Sequence, residues 1–165
     1  MEYRNAVQAD VPLLAEINRQ LIEDEWEGTG MSMERLQQRM SRWLEDGDYH
    51  AILFMENGET VAYSLVSVDE DDSAFIRHFF VLREHRGGGV GRRAMQMLLR
   101  DIIPPTARIT LDVLASNAGG HRFWKSVGFQ DYAIRMERLP TAAAGADKDA
   151  GKDADKAGAQ PEAAA

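Results

Sequence analysis

An α+β fold, with helices packed on a mostly antiparallel sheet, is what this sequence predicts, and three observations carry the prediction. Apolar spacing switches between a period of three to four residues and simple alternation along the chain. The segments so defined fall in the order β-α-α-β-β-β-α-β-α-β. The three consecutive strands in the middle are joined by short polar turns, one of them Asn57-Gly58, a strong hairpin signal, so they form an antiparallel meander.

Residues 2–6 read as a short first strand. Asp10 is a good N-cap, and Pro12 falls in the first helical turn, where its missing N–H costs nothing. The helix that follows lines up Val11, Leu14, Ile17 and Leu21, with Leu13 beside them, on one apolar face. Ser32 caps a second helix in which Met33, Leu36, Met40, Trp43 and Leu44 keep the same period, Arg35, Arg39 and Arg42 take the other side, and Gly47-Asp48 ends the run. Strands over residues 51–55, 60–68 and 74–82 come next, separated by the hairpin turn and by an acidic turn over residues 69–72. Helical spacing returns after Gly91 with Ala94, Met95, Leu98 and Leu99 and stops before Pro104-Pro105. Residues 108–114 then read as a strand, 117–126 as a short helix and 129–138 as a last strand or pair.

The 165 residues carry 19 Lys and Arg against 27 Asp and Glu, a net charge of -8, and 44% are hydrophobic. One domain is expected over residues 1–140, long enough to bury a usable core. Residues 141–165 hold 11 alanines and no Leu, Ile, Val, Met or aromatic residue. Such a segment buries nothing that would offset its ordering entropy, so a disordered tail is expected there. No window reaches the roughly 18 uninterrupted apolar residues of a membrane span, and no apolar leader opens the sequence. The absence of cysteine removes disulfides, thiolate zinc sites and a cysteine nucleophile, and four scattered histidines speak against an all-imidazole metal site. The expectation is a cytoplasmic protein with no metal and no membrane attachment. Its acidic balance argues against nucleic acid as a partner, and a homodimer is left open.

The most informative stretch is Val81-Leu82-Arg83-Glu84-His85-Arg86-Gly87-Gly88-Gly89-Val90-Gly91-Arg92-Arg93-Ala94, a strand end, a glycine-rich turn and a helix start. Amides at a helix N-terminus point outward unsatisfied, the dipole favours an anion there, and glycines let a phosphate approach the backbone closely. Arg86, Arg92 and Arg93 add positive charge. The same residues satisfy G-x-G-x-x-A, with Asp112 following 23 residues after Gly89, which is the dinucleotide-binding fingerprint. That fingerprint expects the first strand of a parallel βαβ series. Here hairpin-connected strands precede the loop, and too little chain follows Asp112 to complete a doubly wound sheet. A Walker A loop is excluded, because no Gly-Lys-Ser or Gly-Lys-Thr follows the glycines.

Arg86-Gly87-Gly88-Gly89-Val90-Gly91 resembles the pyrophosphate loop Q/R-x-x-G-x-G/A of the GNAT superfamily of N-acetyltransferases. Asn117-Ala118-Gly119-Gly120-His121-Arg122-Phe123-Trp124-Lys125-Ser126-Val127-Gly128-Phe129 resembles that superfamily's N-x-x-x-x-x-F-Y-x-x-x-G-F. The resemblance covers the element order over residues 2–138. It implies a mixed, mostly antiparallel central sheet with helices on both faces, and acetyl-CoA as co-substrate. The pyrophosphate would lie on Gly87, Gly88, Gly89, Val90, Gly91 and Arg92. Backbone groups of Phe79, Phe80 and Val81, on a strand that bulges and splays in the family, would pair with the pantetheine and polarise the thioester carbonyl. The Phe79 and Phe80 side chains read as core. Asn117 serves either the cofactor or as a helix N-cap.

Trp124 stands where the family often has a Tyr that protonates the departing thiolate, and an indole N–H has no useful acidity. Tyr132, Tyr63 and Ser126 are the candidates to replace it, unless the thiolate leaves without a side-chain acid; Trp124 would instead pack against the cofactor or the last strand. A neutral amine also requires a base. Glu25, with Glu23, Asp24 and Glu27 around it, lies where the family's substrate-binding segment falls, and a solvated acidic helix end is the alternative use of that cluster. On the strand before the loop, Arg77 and Phe79 alternate with His78 and Phe80, so only one set faces the acetyl group unless a bulge shifts the parity. The resemblance places substrate groups at Phe75 and Arg77, and an arginine there suits an acceptor with an anionic group such as a carboxylate. The reading is an acetyl-CoA-dependent N-acetyltransferase acting directly on a primary amine of a small metabolite or a protein. Its alternatives are an acyl-CoA-binding module without turnover, and a toxin-like enzyme acetylating aminoacyl-tRNA, which the Arg35, Arg39 and Arg42 face alone suggests.

Overall fold

The central hairpin sets the sheet. In the structure, a computed structural model that describes residues 1–25, 31–70, 73–136 and 138, Asn57 and Gly58 take φ of 53° and 82°, the left-handed pair that matches the twist of paired strands. They join β2 (His50–Glu56) to β3 (Glu59–Val68), with Glu56 opposite Glu59. β4 (Ser73–Val81) continues the meander, β1 (Glu2–Asn5) pairs antiparallel with β2, and β5 (Arg108–Leu111) joins β4 in parallel. The sheet order is β1-β2-β3-β4-β5.

Helices cover both faces. α1 (Val11–Glu25) and α2 (Met33–Asp46) bury Leu14, Ile17, Leu21, Leu36 and Met40, the predicted apolar stripes, and pack with Leu53, Tyr63, Leu65 and Phe80. α3 (Val90–Met97), which widens into a π-helical turn over Leu98–Ile102, buries Ala94, Met95 and Leu98 against Ile52, Phe54, Val66 and Ile76 on the opposite face. α4 (Ala118–Ser126) closes that side with Phe123 and Trp124. Each fully buried Leu or Phe side chain contributes about 1.5–3 kcal/mol.

The caps are local. Ser32 Oγ accepts from the Arg35 amide and Gly47 ends α2 at φ 75°, as the sequence predicts. Asp10 differs from its expected use: a tight turn over Gln8–Asp10 precedes α1, and the Asp10 carboxylate accepts from the Val7 amide at 2.8 Å while gripping Arg4 at 2.7 Å.

The expected last strand is not formed by residues 129–136. Tyr132, Ile134 and Met136 are 78%, 90% and 88% exposed, so their alternation gives no buried face. Side chains hold the segment beside β5, through the Arg108 guanidinium 4.4 Å from the Tyr132 ring and Arg135 3.0 Å from Asp112, in place of a hydrogen-bonded ladder. β5 itself ends at Leu111 rather than at residue 114. Glu27 and the tail over residues 141–165 lie outside the described residues.

Candidate active site

β4 carries the centre of the site. Its ladder with β3 pairs Leu65 with His78 but Val66 with Ile76, which makes Arg77 the extra residue of a β-bulge. Its ladder with β5 stops at Ile76 opposite Leu111, so past that point β4 runs on to Val81 with no β5 partner. Strict alternation therefore fails where the sequence reading relied on it. Arg77 and His78 both face the α1–α2 layer, Arg77 lying 4.9 Å from the Trp43 ring centroid and His78 5.4 Å from it. Beyond the bulge alternation resumes: Phe80 packs with the α1–α2 layer, while Phe79 and Val81 pack toward α3 and α4. Both phenylalanine side chains are core, as read from the sequence.

A short 3-10 turn over Arg83–His85 leads from β4 into the glycine loop. Gly87 and Gly89 hold φ of 81° and 74°, a conformation other residues adopt only with strain, and Gly89 caps α3. The first amide of the helix to find a carbonyl is that of Arg93, on Gly89 at 3.1 Å; those of residues 87–92 have no backbone acceptor among the described residues. A side chain at Gly87 or Gly88 would meet nothing within 4 Å, so the space over the loop is open. At Gly91 a Cβ would lie 3.2 Å from Phe123 and 3.3 Å from Val81, so that glycine lets α3 close on β4 and α4.

The arginines do other work than the sequence suggests. Arg86 donates from Nε to the Val81 carbonyl at 2.9 Å and from Nη2 to Asp24 at 2.6 Å, with its guanidinium 4.8 Å from the Phe80 ring. Arg93 closes on the Gly88 carbonyl and on Glu56, both at 2.8 Å. Both side chains brace the loop, and the amides and the end of α3 are left to attract an anion; Arg92 stands exposed beside them.

The acidic end of α1 is largely neutralised. Asp24 binds Arg83 and Arg86 at 2.6 Å each, and Glu23 binds Arg83 at 3.2 Å and also Arg19. Burial pushes the Asp24 carboxyl up, but the two guanidiniums outweigh it and hold it below the usual carboxylate range. Glu25 is different: burial, and then the charge of Asp24, push its carboxyl above that range, which suits a base.

Sequence reasoning missed a cluster behind β4. Asn18, wholly buried on α1, accepts from Arg39 and places Nδ2 3.5 Å from His78 Nδ1, which also lies 3.5 Å from the Tyr63 hydroxyl. Burial, then the positive charges of Arg39 and Arg77, push His78 down to about 3, so it is neutral. Arg39 is thus turned inward, 5.1 Å from the Trp43 ring, and the supposed basic stripe of Arg35, Arg39 and Arg42 is broken in the middle. The signal lay in the sequence as an Asn on the apolar face of the first helix, an unusual place for an amide.

On α4, Asn117 Oδ1 accepts from the Gly120 amide at 2.7 Å, the helix-cap use of that residue. A Cβ at Gly120 would fall 2.8 Å from Asn117 Nδ2, which explains a glycine inside the first turn. Trp124 lies 5.5, 5.1 and 5.2 Å from the Phe79, Phe123 and Phe129 rings. Of the candidate acids, Tyr63 is wholly buried, with burial pushing its hydroxyl up, and Ser126 donates back to the Phe123 carbonyl at 2.8 Å. Tyr132 is open to solvent.

A bulged strand thus parts from its parallel neighbour and leads through a short turn to a glycine-lined helix start on a mixed five-stranded sheet. The sequence profile of the acetyltransferase (GNAT) family matches residues 16–129, so this chain belongs to that family and is an acyltransferase of the N-acetyltransferase kind. The fold is similar to that of a possible acetyltransferase from Clostridium difficile 630, with 17% identity, 86% of this chain and 98% of that one covered, and a TM-score of 0.69. A predicted acetyltransferase with acetyl-CoA from Clostridium acetobutylicum aligns at 21% identity over 84% and 95% of the two chains, TM-score 0.65. An aminoglycoside antibiotic 6'-N-acetyltransferase from Acinetobacter haemolyticus aligns at 17% over 87% and 100%, TM-score 0.67. No curated protein matches the sequence. Members of this family generally take acetyl-CoA. Among the described residues no helix is long and apolar enough to cross a membrane, and no group of three His, Asp or Glu could hold a metal ion.

Proposed function

We propose that this chain transfers acetyl from acetyl-CoA directly to a primary amine, in the cytoplasm, and that the site residues are those around the β4 splay. The observation that carries this is the succession of three features along one stretch of chain: the bulge at Arg77, the parting from β5 after Ile76, and the open glycine loop that follows β4 after a short turn over Arg83–His85. The amides of residues 87–92 and the N-terminus of α3 would hold the pyrophosphate. The edge of β4 beyond Ile76, which has no β5 partner, would offer peptide groups of Phe79, Phe80 and Val81 to the pantetheine amides and to the thioester carbonyl, the Val81 carbonyl being shared with Arg86. When bound, acetyl-CoA supplies an activated acyl group with a thiolate leaving group.

The remaining steps fall to side chains. Glu25, whose proton affinity is raised by burial, takes the proton of the attacking amine. Tyr132, the candidate acid neither enclosed nor bonded back onto its own helix, returns a proton to the thiolate. The transfer is direct, and the chain has no cysteine nucleophile to carry an acyl group. One observation favours a second reading: Trp124 fills the usual position of the acid and is locked in an aromatic cluster, which suits a domain that binds acyl-CoA without turnover.

Thermal unfolding of the full chain with acetyl-CoA, desulfo-CoA and NAD tests the reading. Both CoA species at 100 times their dissociation constants should add about 2.7 kcal/mol, and NAD nothing. Release of CoA in the presence of a panel of primary amines then separates the enzyme from the binding module. No stabilisation by CoA, or stabilisation by NAD alone, overturns the proposal.

A further inference from the structure

We propose that this chain pairs with a second copy of itself through residues 130–136, which join the same residues of the partner as an antiparallel strand pair centred on Ala133. The inference is independent of the acetyltransferase reading. The stretch runs beside β5 at the edge of the sheet without helix, turn or bend, and every one of its residues is exposed. The peptide groups of residues 130–134 have no backbone hydrogen-bond partner among the described residues. Of the five large apolar side chains exposed among the described residues, three, Tyr132, Ile134 and Met136, fall here. Their two-residue spacing sets them on one side of an extended chain. Such a row beside unpaired peptide groups is a template for another strand. The opposite edge of the sheet is built otherwise, because β1 flanks Tyr3 with Glu2 and Arg4, charges that blunt an open edge.

A second copy fits because the stretch is complementary to itself. In a two-fold contact residue i meets residue j of the partner, and j meets i. With Ala133 on the axis, Asp131 stands opposite the partner's Arg135 and Tyr132 opposite the partner's Ile134, and each pairing occurs twice. Residues directly opposite in an antiparallel pair share a face. Both charge pairs therefore fall on one face, and the apolar rows of the two copies join on the other. A shift of one residue either way sets Asp131 against Ile134 or Met136, so the register is specified. The chain carries a net charge of -8 and repels its copy at most surfaces, but this stretch holds one Asp and one Arg and is neutral. Within one copy Asp131 meets Lys125 at 2.8 Å and Arg135 meets Asp112 at 3.0 Å. These are exposed ion pairs that contribute little, so sharing or exchanging them costs little.

Sedimentation of the full chain over micromolar concentrations should show a species of twice the 18.4 kDa chain mass. Ile134→Glu should raise the association midpoint about 10-fold or more, and so should Asp131→Arg or Arg135→Asp, each of which sets like charges opposite one another twice. An equimolar mixture of Asp131→Arg and Arg135→Asp should regain the dimer, because every charge then meets its opposite across the axis. Loss of the Lys125 or Asp112 contact within one chain is not repaired by adding another chain, and circular dichroism shows whether each variant is folded. A chain that stays monomeric throughout, a dimer that survives these substitutions, or folded charge variants that stay apart when mixed would overturn the proposal.

Discussion

The bulge within β4 and the glycine loop a few residues beyond its end are close in the chain, yet they are built in opposite ways. The loop is made of consecutive backbone: positive φ at Gly87 and Gly89, outward amides, and a helix that starts at Val90. Its side chains turn away from the opening, Arg86 toward Asp24 and Arg93 toward Glu56. The bulge side is made of side chains that meet from α1, α2, β3 and β4: Asn18, Arg39, Trp43, Tyr63, Arg77 and His78. On the proposed function, the loop would hold a cofactor common to many relatives through backbone, which every sequence carries, and the bulge side would meet the acceptor through side chains.

Substitutions can break or sharpen that contrast. The largest effect is expected from Glu25→Gln, which should lower kcat by about 10²–10⁴-fold while leaving acetyl-CoA affinity in place, and should remove an acidic limb lying above the usual carboxylate range in the pH profile of kcat/KM. A pH profile that Glu25→Gln leaves unaltered would take the base away from this residue. Next comes Gly89→Glu, which forces a side chain into φ 74° and sets a carboxylate at the anion end of α3. Like charges brought together cost several kcal/mol, so calorimetry should show acetyl-CoA binding weakened about 100-fold or more. Unchanged affinity would show that the loop is only a turn.

The third prediction concerns the buried side of β4. Folded His78 titrates at about 3 and an unfolded histidine near 6.5. Between those values the unfolded chain binds the proton and the folded chain does not, so stability is full above about pH 6.5 and falls as pH drops toward 3. From pH 7 to 5 the loss should be about 2 kcal/mol, seen in urea midpoints, and His78→Phe should flatten that slope. The smallest effect is Asn117→Ala. Loss of the cap on α4 should cost about 1 kcal/mol, and Asn117→Ser should recover it. A loss of acetyl-CoA affinity in Asn117→Ser, with stability recovered, would give the residue a cofactor role beside its capping one.

Much of the fold was legible because it is local. Asn57-Gly58 and Gly47 announce a turn and a helix end through positive φ that few other residues adopt, and Ser32 announces a helix start through a side-chain oxygen that accepts from the Arg35 amide. The stripes Leu14, Ile17, Leu21 and Ala94, Met95, Leu98 repeat at helical spacing because each helix has one buried face. The last strand was misread for the same reason in reverse. Tyr132, Ile134 and Met136 alternate as a strand would, but alternation becomes a strand only where a neighbour supplies hydrogen bonds, and residues 129–136 are tied to β5 by Arg108 and Asp112 instead.

By itself the sequence determined the element order through α4, the glycine loop with its amides turned outward, and the family, since each depends on residues adjacent in the chain or one helical turn apart. Only the tertiary structure decided which arginine meets which carboxylate, that Asn18 and His78 are partners, and that Arg77 and His78 share a face. Those follow from the one-residue bulge opposite Leu65 and Val66 and from how α1 and α2 settle on the sheet. A register shift of one residue reverses a side chain's direction, and no local preference in the sequence announces it.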